Sequence, residues 1–414
     1  MKILHLIHRS WPYHGGAERY VLEHALAGER WGHESVICTT DAWDMSWFVS
    51  RTGSRIHRKE DLIEGVRIKR FPVIHPPLQN ILRGALRRLK RCGPDRFFYP
   101  NPFVPSLHRW LRVERGFDLL HANAMPFILF EGWNYSRKHK TGLVSVPHAN
   151  VGEKYRRVKA LHYFSGCQKK ILQDSSFVVA QSRFEKDLYC SMDIPPERVH
   201  ISGSGIDPDE FSGKSREKGT KRLGVKGTVI LSLTAHSLDR GTKQIIEACR
   251  NLIREKNDIT LVLAGPVLPD AEGYIDSQME LAEEFGDRLV VTGYVSREDR
   301  TDMIAAADIV LLPSRLDCFG IVVLEAWISG KPVIGCWSGA MPDMINDGQN
   351  GFLVSWGDTV TLSDRIKALL DNPELRQTMG ERGRKAVLER WTWEKVTDSF
   401  YRRLEQCGPK KSGT

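Results

Sequence analysis

No apolar run in the chain approaches the roughly 20 residues that a membrane-spanning helix needs. No G-x-G-x-x-G follows the first strand-like stretch, so the usual dinucleotide fingerprint of a nicotinamide oxidoreductase is missing. The eight cysteines, at 38, 92, 167, 190, 249, 318, 336 and 407, are scattered without a CxxC pair or His-rich partners. That fits reduced thiols in cytoplasm and gives neither a disulfide framework nor a zinc site. The first residues, Met1-Lys2-Ile3-Leu4-His5-Leu6-Ile7-His8, are too short for a signal-peptide core and read as a first strand. What remains is a chain of 414 residues, 41% hydrophobic and 27% charged, which suits a soluble protein of two domains.

Charge divides the two halves. Residues 1–205 carry 32 Lys/Arg against 19 Asp/Glu, a net of +13, whereas residues 206–414 carry 28 against 32, a net of −4. The two halves therefore face different partners, or one half faces an anionic surface. Nucleic acid is the first candidate, but the basic half has no nucleic-acid motif and no aromatic-lined groove, and no nucleic-acid partner is expected. Within it, residues 81–91 place Ile81, Leu82, Ala85, Leu86 and Leu89 in one arc of a helical wheel, opposite Arg83, Arg87, Arg88, Lys90 and Arg91. Two readings stay open: a surface helix with its apolar side on the core, or a helix lying on an anionic membrane. The second would put a cytoplasmic protein at the inner face of the cell membrane.

Strand and helix signals alternate in the βαβ manner throughout. Residues 1–50 read as strand, Gly-rich turn, helix and strand, with Gly15-Gly16 either a purely structural turn or a place where backbone meets ligand. Apolar runs ending at His121, His148 and Ser182 are expected to bring those residues to a common rim. His148 is the one expected to do chemistry. Residues 202–222, rich in Gly and Ser, read as an interdomain linker. A second βα series follows, with strands at 229–233, 259–264, 289–291 and 308–312 and helices at 242–255, 277–285 and 297–306.

The most informative stretch is Leu311–Gly330. It leaves a buried strand, crosses a polar loop and enters a helix whose first turn is expected to hold Phe319-Gly320-Ile321-Val322, with Gly330 as its left-handed stop. In an open parallel sheet, ligands bind beyond the carboxyl ends of strands, where helix N-termini offer N–H groups to anions. Asp317 and Glu325 flank that helix start. In an unbroken helix their separation spans about 12 Å, too far for the roughly 5 Å carboxylate pair of a retaining glycosidase. They suit two acceptors on one extended ligand.

The ordered set Asp239-Arg240-Gly241, Leu263-Ala264-Gly265-Pro266, Val291-Thr292-Gly293-Tyr294, Pro313-Ser314, Asp317-Cys318-Phe319-Gly320, Glu325-Ala326, Gly330-Lys331-Pro332, Gly339-Ala340 and Gly348-Gln349-Asn350-Gly351 resembles glycosyltransferase family 4. Gly15-Gly16-Ala17-Glu18, Val146-Pro147-His148, Gln181-Ser182 and Gly205-Ile206-Asp207 extend the resemblance over nearly the whole chain. It implies an α/β fold of two facing Rossmann-like domains (GT-B): an acceptor domain at 1–205, a nucleotide-sugar domain at 206–388, and a C-terminal helix in 389–414 crossing back to the first. It implies a retaining, metal-independent transfer from a nucleotide diphosphate sugar to a hydroxyl, with no cofactor. The acceptor would be a lipid-linked or cell-surface glycan precursor. Asp317 of the family's E-x7-E pair would bind donor-sugar hydroxyls and Glu325 the ribose. Gly15, Gly16, Cys318 and the N–H groups of Phe319, Gly320, Ile321 and Val322 would face the donor, and His148 the donor sugar or the acceptor. The chain departs from the family twice. Asp317 stands where Glu is usual, and Ala235 stands at the Arg of the phosphate clamp, leaving Arg240 at its Lys position with His236 and Lys243 as auxiliary cations. These departures also fit a catalytically inactive partner subunit.

Overall fold

The computed structural model describes residues 1–13, 15–48, 50–75, 102–125, 128–149, 166–256, 258–277, 285–317 and 319–407. The stretch 81–91 and Cys318 lie outside them. The chain forms two compact units: residues 1–149, 166–202 and 397–407 belong to the first, and Gly203–Val396 to the second.

The first unit is built on an eight-stranded sheet of β1 (Lys2–Leu6), β2 (Glu34–Thr40), β3 (Glu60–Ile63), β4 (Val66–Phe71), β5 (Leu119–Asn123), β6 (Gly142–Val146), β7 (Phe177–Ala180) and β8 (Val199–Ile201). Their order is β3-β4-β2-β1-β5-β6-β7-β8, with only the β3–β4 pair antiparallel. The chain works outward from β1 in one direction and then from β5 in the other, so the order reverses between β1 and β5. The inner strands β1, β5, β6 and β7 are buried almost throughout, as a parallel sheet covered on both faces requires.

One expectation fails here for a clear reason. β5 runs on to Asn123, so His121 lies inside the strand, wholly buried, with its Nδ1 2.9 Å from His5 Nδ1. Ser182 is also buried, as the N-cap whose Oγ accepts from Glu185 N in the Arg183–Cys190 helix. Of the three residues expected on a rim, only His148 is partly exposed.

The second unit holds six parallel strands, β9 (Thr228–Leu233), β10 (Ile259–Ala264), β11 (Leu289–Gly293), β12 (Ile309–Leu312), β13 (Val333–Cys336) and β14 (Phe352–Val354), in the order β11-β10-β9-β12-β13-β14. The order reverses between β9 and β12. The expected helices Thr242–Glu255 and Arg297–Ala306 form with those bounds. A helix at Pro269–Ser277 precedes the stretch where one was expected at 277–285, of which residues 278–284 lie outside the described residues. The supposed linker is structured: Pro208–Phe211 makes a 3-10 turn and Arg216–Leu223 a helix capped by Ser215 and ended by Gly224. Its glycines signal packing. A Cβ on Gly219 would sit 2.1 Å from the Asp302 carbonyl, so only glycine lets this helix meet Arg297–Ala306.

The last helix, Trp393–Cys407, begins in the second unit and continues into the first from Thr397. There Tyr401 donates to the His24 carbonyl at 2.5 Å, and Phe400 packs on His24 and His121 at 4.9 and 4.8 Å. No helix among the described residues is long and apolar enough to cross a membrane.

Candidate functional site

At the carboxyl edge of the second sheet, the loops after β9 and β12 leave from the two strands where the order reverses, the position at which open α/β sheets bind ligands. The first loop ends in a 3-10 turn, Leu238–Arg240, with Ser237 Oγ accepting from Arg240 N. Gly241 then takes φ +82°, and a Cβ there would lie 2.6 Å from the Pro313 carbonyl. Positive φ and close approach together bring this loop against the next one.

Two ion pairs fasten the contact in crossed order. Arg240 Nη1 donates to Asp317 Oδ2 at 2.6 Å, while Arg315 Nε donates to the neighbouring Asp239 Oδ1 at 2.8 Å. Arg315 also gives its backbone N–H to the Asp239 carbonyl, and its guanidinium lies 3.9 Å from the Trp356 ring. Arg240 and Asp317 were expected at the site and are brought together. Asp239 and Arg315 were missed, although the reversed charge order, Asp-Arg in one loop and Arg-x-Asp in the other, was there to be read.

The following helix is Ile321–Ile328, shorter than expected at its start. Gly320 is its N-cap at φ +86°, and a Cβ there would strike Met341 Cε at 2.5 Å. Phe319 and Gly320 therefore precede the helix, and Ile321 and Val322 form its first turn, whose N–H groups have no intrahelical acceptor. The segment between Asp317 and Glu325 is loop and then helix, so the 12 Å of an unbroken helix does not apply. The β-branched run Ile321-Val322-Val323 favours helix only weakly. Burial decides: Val323, Leu324, Ala326 and Trp327 are wholly buried, and Trp327 Nε1 donates to the Asn350 carbonyl at 2.9 Å. Gly330, at φ +69°, closes the turn beyond Ile328 as expected.

Glu325 sits one turn into this helix, nearly buried. Arg300, from the Arg297–Ala306 helix, aims Nε and Nη2 at the same oxygen, Oε2, at 2.7 and 2.5 Å. Both donors converge on one oxygen, which leaves Oε1 directed elsewhere. Arg300 was missed too, and no local spacing signals it, because a separate helix supplies it.

The auxiliary cations divide. Lys243 is the second residue of the Thr242–Glu255 helix, with Nζ 3.7 Å from Glu247. A lysine there opposes the helix dipole, a conflict that a bound anion would relieve. His236 is wholly buried, and burial lowers its pKa to about 4. It is neutral near pH 7, so it does not replace the charge that Ala235 lacks.

In the first unit, Gly15 caps the Gly16–Arg30 helix from an extended conformation, and a Cβ on it would meet the Glu18 carboxyl and the Tyr13 ring. His148 follows β6 at φ +48°, a strained conformation for a non-glycine residue. Its Nε2 lies 3.1 Å from Asn123 Oδ1, and its ring packs edge-on to Tyr20 at 5.0 Å. Asn123 gives its Nδ2 to the His121 carbonyl, which turns Oδ1 toward His148 as an acceptor. Nε2 therefore carries the hydrogen and Nδ1 is the accepting nitrogen. Burial lowers this pKa as well, so His148 works as a neutral imidazole. Among the described residues, no three His, Cys, Asp or Glu side chains gather in a way that could hold a metal ion.

Comparison with known proteins places the chain in a family and a fold. The family model for glycosyltransferase family 4 matches residues 14–210, and that for glycosyl transferases group 1 matches residues 214–386. The chain is 32% identical over 194 residues to the alpha-D-kanosaminyltransferase of Streptomyces kanamyceticus, a match spanning 45% of this chain and 49% of that one. It is 25% identical over 392 residues to the D-inositol 3-phosphate glycosyltransferase of Saccharomonospora viridis, covering 87% and 89%. Among solved structures, Anabaena Alr3699/HepE in complex with UDP and glucose aligns with a TM-score of 0.75 at 19% identity, over 98% of this chain and 99% of that one. Sucrose-phosphate synthase from Thermosynechococcus elongatus aligns at 0.74 and 19%, over 98% of each.

Proposed function

Since the chain belongs to the group 1, family 4 glycosyltransferases and has their GT-B fold, we propose that it moves a sugar, with retention, from a nucleotide diphosphate sugar to a hydroxyl of a lipid-linked or cell-surface glycan precursor. The observation that carries this reading is the Arg240–Asp317 pair at the β9/β12 reversal, beside the start of the Ile321–Ile328 helix. It sets a phosphate-seeking guanidinium 2.6 Å from a hydroxyl-seeking carboxylate. The donor's diphosphate takes Arg240, the N–H groups of Ile321 and Val322, and Lys243. Asp317 accepts from the sugar hydroxyls, and Glu325 offers Oε1 to the ribose. The complex with UDP and glucose is a property of Alr3699/HepE, and it supports a nucleotide-sugar donor here by likeness of fold only.

In the reaction the bond from the sugar's anomeric carbon to the diphosphate oxygen breaks and the bond to the acceptor oxygen forms on the same face. The acceptor's proton passes to the departing phosphate. Arg240 and the helix N–H groups stabilise the leaving charge without a metal. His148, neutral and fixed by Asn123, orients the acceptor or the donor sugar through its accepting nitrogen. The protein works in the cytoplasm at the inner membrane face.

The test is a screen of UDP-, GDP- and ADP-linked sugars for enzyme-dependent nucleotide diphosphate release with crude lipid acceptor, with and without EDTA. Release with one donor class, insensitive to EDTA and lost in Arg240→Ala, supports the reading. Ala235 at the clamp position favours a second reading, an inactive partner subunit. Calorimetry that finds no nucleotide-sugar binding, together with no release, would support that second reading.

A further inference from the structure

From the aromatic cluster beyond β1 and β2 we infer a saccharide-binding platform in the first unit, made by Tyr13 and Trp43 and backed by Arg9. Its role as an acceptor subsite rests on the proposed transfer reaction; the platform itself rests on the following geometry. Tyr13 lies in the loop after β1, a strand at the order reversal of this sheet, and Trp43 in the loop after β2 beside it. This is the edge where an open sheet receives ligands.

The rings are held in place. Arg9 Nε donates to Glu18 Oε1 at 3.0 Å, and its guanidinium carbon lies 3.9 Å from the centre of the Tyr13 ring, covering one side of it. Tyr13 meets Trp43 edge to face, with centroids 5.8 Å apart and planes at 88°. The Trp43 backbone is pinned too: its N–H donates to the Ser54 carbonyl at 2.9 Å, and Ala42 bridges to Arg55. Asp44 closes the same loop, accepting from Trp47 N at 3.0 Å and from Ser54 N at 2.6 Å. Yet Trp43 is 39% exposed and its neighbour Met45 42%. Trp43 and Met45 thus form a small exposed apolar patch on a hydrogen-bonded loop, at the edge where such a sheet receives ligands.

Two rings at right angles form a corner, with one face to stack on and one edge beside it. A pyranose ring fits that shape, because its apolar C–H face stacks on an indole while its hydroxyls point sideways to polar groups. The loop's own chemistry argues against a bilayer. Asp44 and the backbone polar groups of Ser54 would be carried toward the hydrocarbon with Trp43, at a large desolvation cost.

The experiment compares wild type, Trp43→Phe and Trp43→Ala on an array of immobilised glycans, on phosphatidylcholine/phosphatidylglycerol vesicles, and by calorimetry with nucleotide sugars. Wild type should bind a saccharide, Trp43→Phe should keep most of that binding, and Trp43→Ala should lose about tenfold. Nucleotide-sugar binding and circular dichroism should stay unchanged. The platform is overturned if wild type binds no glycan, if Trp43→Ala binds its glycan as well as wild type, or if Trp43→Ala loses vesicle binding instead. Trp43-dependent glycan binding without any nucleotide-sugar binding would uphold the platform and refute the proposed reaction.

Discussion

His236 is the only histidine among residues 203–396, so a single imidazole can be followed in the acid response of the second unit. The perturbation is His236→Asn, measured at pH 7 and pH 5. The imidazole is wholly buried and its pKa is lowered to about 4, against about 6.5 in an unfolded chain. The unfolded state therefore takes up the proton first. The stability that the neutral ring allows is fully present above pH 6.5 and is lost as pH falls toward 4. Linkage gives a loss of about 1.8 kcal/mol between pH 7 and pH 5 for one such group. The carboxylates of this unit with lowered pKa, Asp358 and Asp371, titrate below that range. Urea unfolding of the full chain, followed by pulse proteolysis and mass spectrometry of peptides from 203–396, supplies the stabilities. The asparagine variant has its own constant cost, but the gap between it and wild type should shift by about 1.8 kcal/mol in the variant's favour at pH 5. A gap that does not move refutes the buried neutral imidazole. A gap that moves the other way would mean a folded pKa above 6.5 and restore His236 as a phosphate-binding cation.

Other expectations concern the site and its support. Arg240→Ala should lower kcat/KM for the donor by about 100-fold, while Arg240→Lys keeps part of it, read by nucleotide release. Arg300→Ala should raise the donor KM by about tenfold with little change in kcat, because it frees Glu325 to turn without touching the reacting bond; an unchanged KM would sink that positioning role. Trp327→Ala should cost about 3–5 kcal/mol in chemical denaturation, since it empties a wholly buried site and orphans the Asn350 carbonyl. Gly241→Ala should cost at least about 1 kcal/mol and weaken donor binding, as strain at φ +82° is added to the contact with Pro313.

The sequence reveals the fold well where periodicity and burial act together. Thr242–Glu255, with one apolar face, and Ile259–Ala264, an apolar run broken only by Thr260, have the expected bounds. It misleads where a residue type has two physical uses. The glycines and serines of 202–222 suggest a linker, yet Ser215 and Gly224 cap a helix and Gly219 admits a neighbouring backbone. His121 suggests a strand end, yet the polar Asn123 that truly ends β5 also fixes His148. At the site, Arg240, Asp317 and Glu325 follow from motif order. Arg300 and Arg315 do not, because their roles come from contacts across separate elements, which no spacing along the chain encodes.

The crossed pairs have one more consequence. Arg240 with Asp317, Arg315 with Asp239, and Arg300 with Glu325 place three guanidinium groups against three carboxylates. These three pairs cancel in net charge and together project little long-range field, even though charged groups crowd the site. The proposed nucleotide-sugar donor would not be drawn in from a distance by these pairs but would exchange with the Arg240–Asp317 bond already made. Capture should then depend only weakly on ionic strength. Selectivity would arise at contact, from how well a ligand's phosphates and hydroxyls replace the bonds they displace.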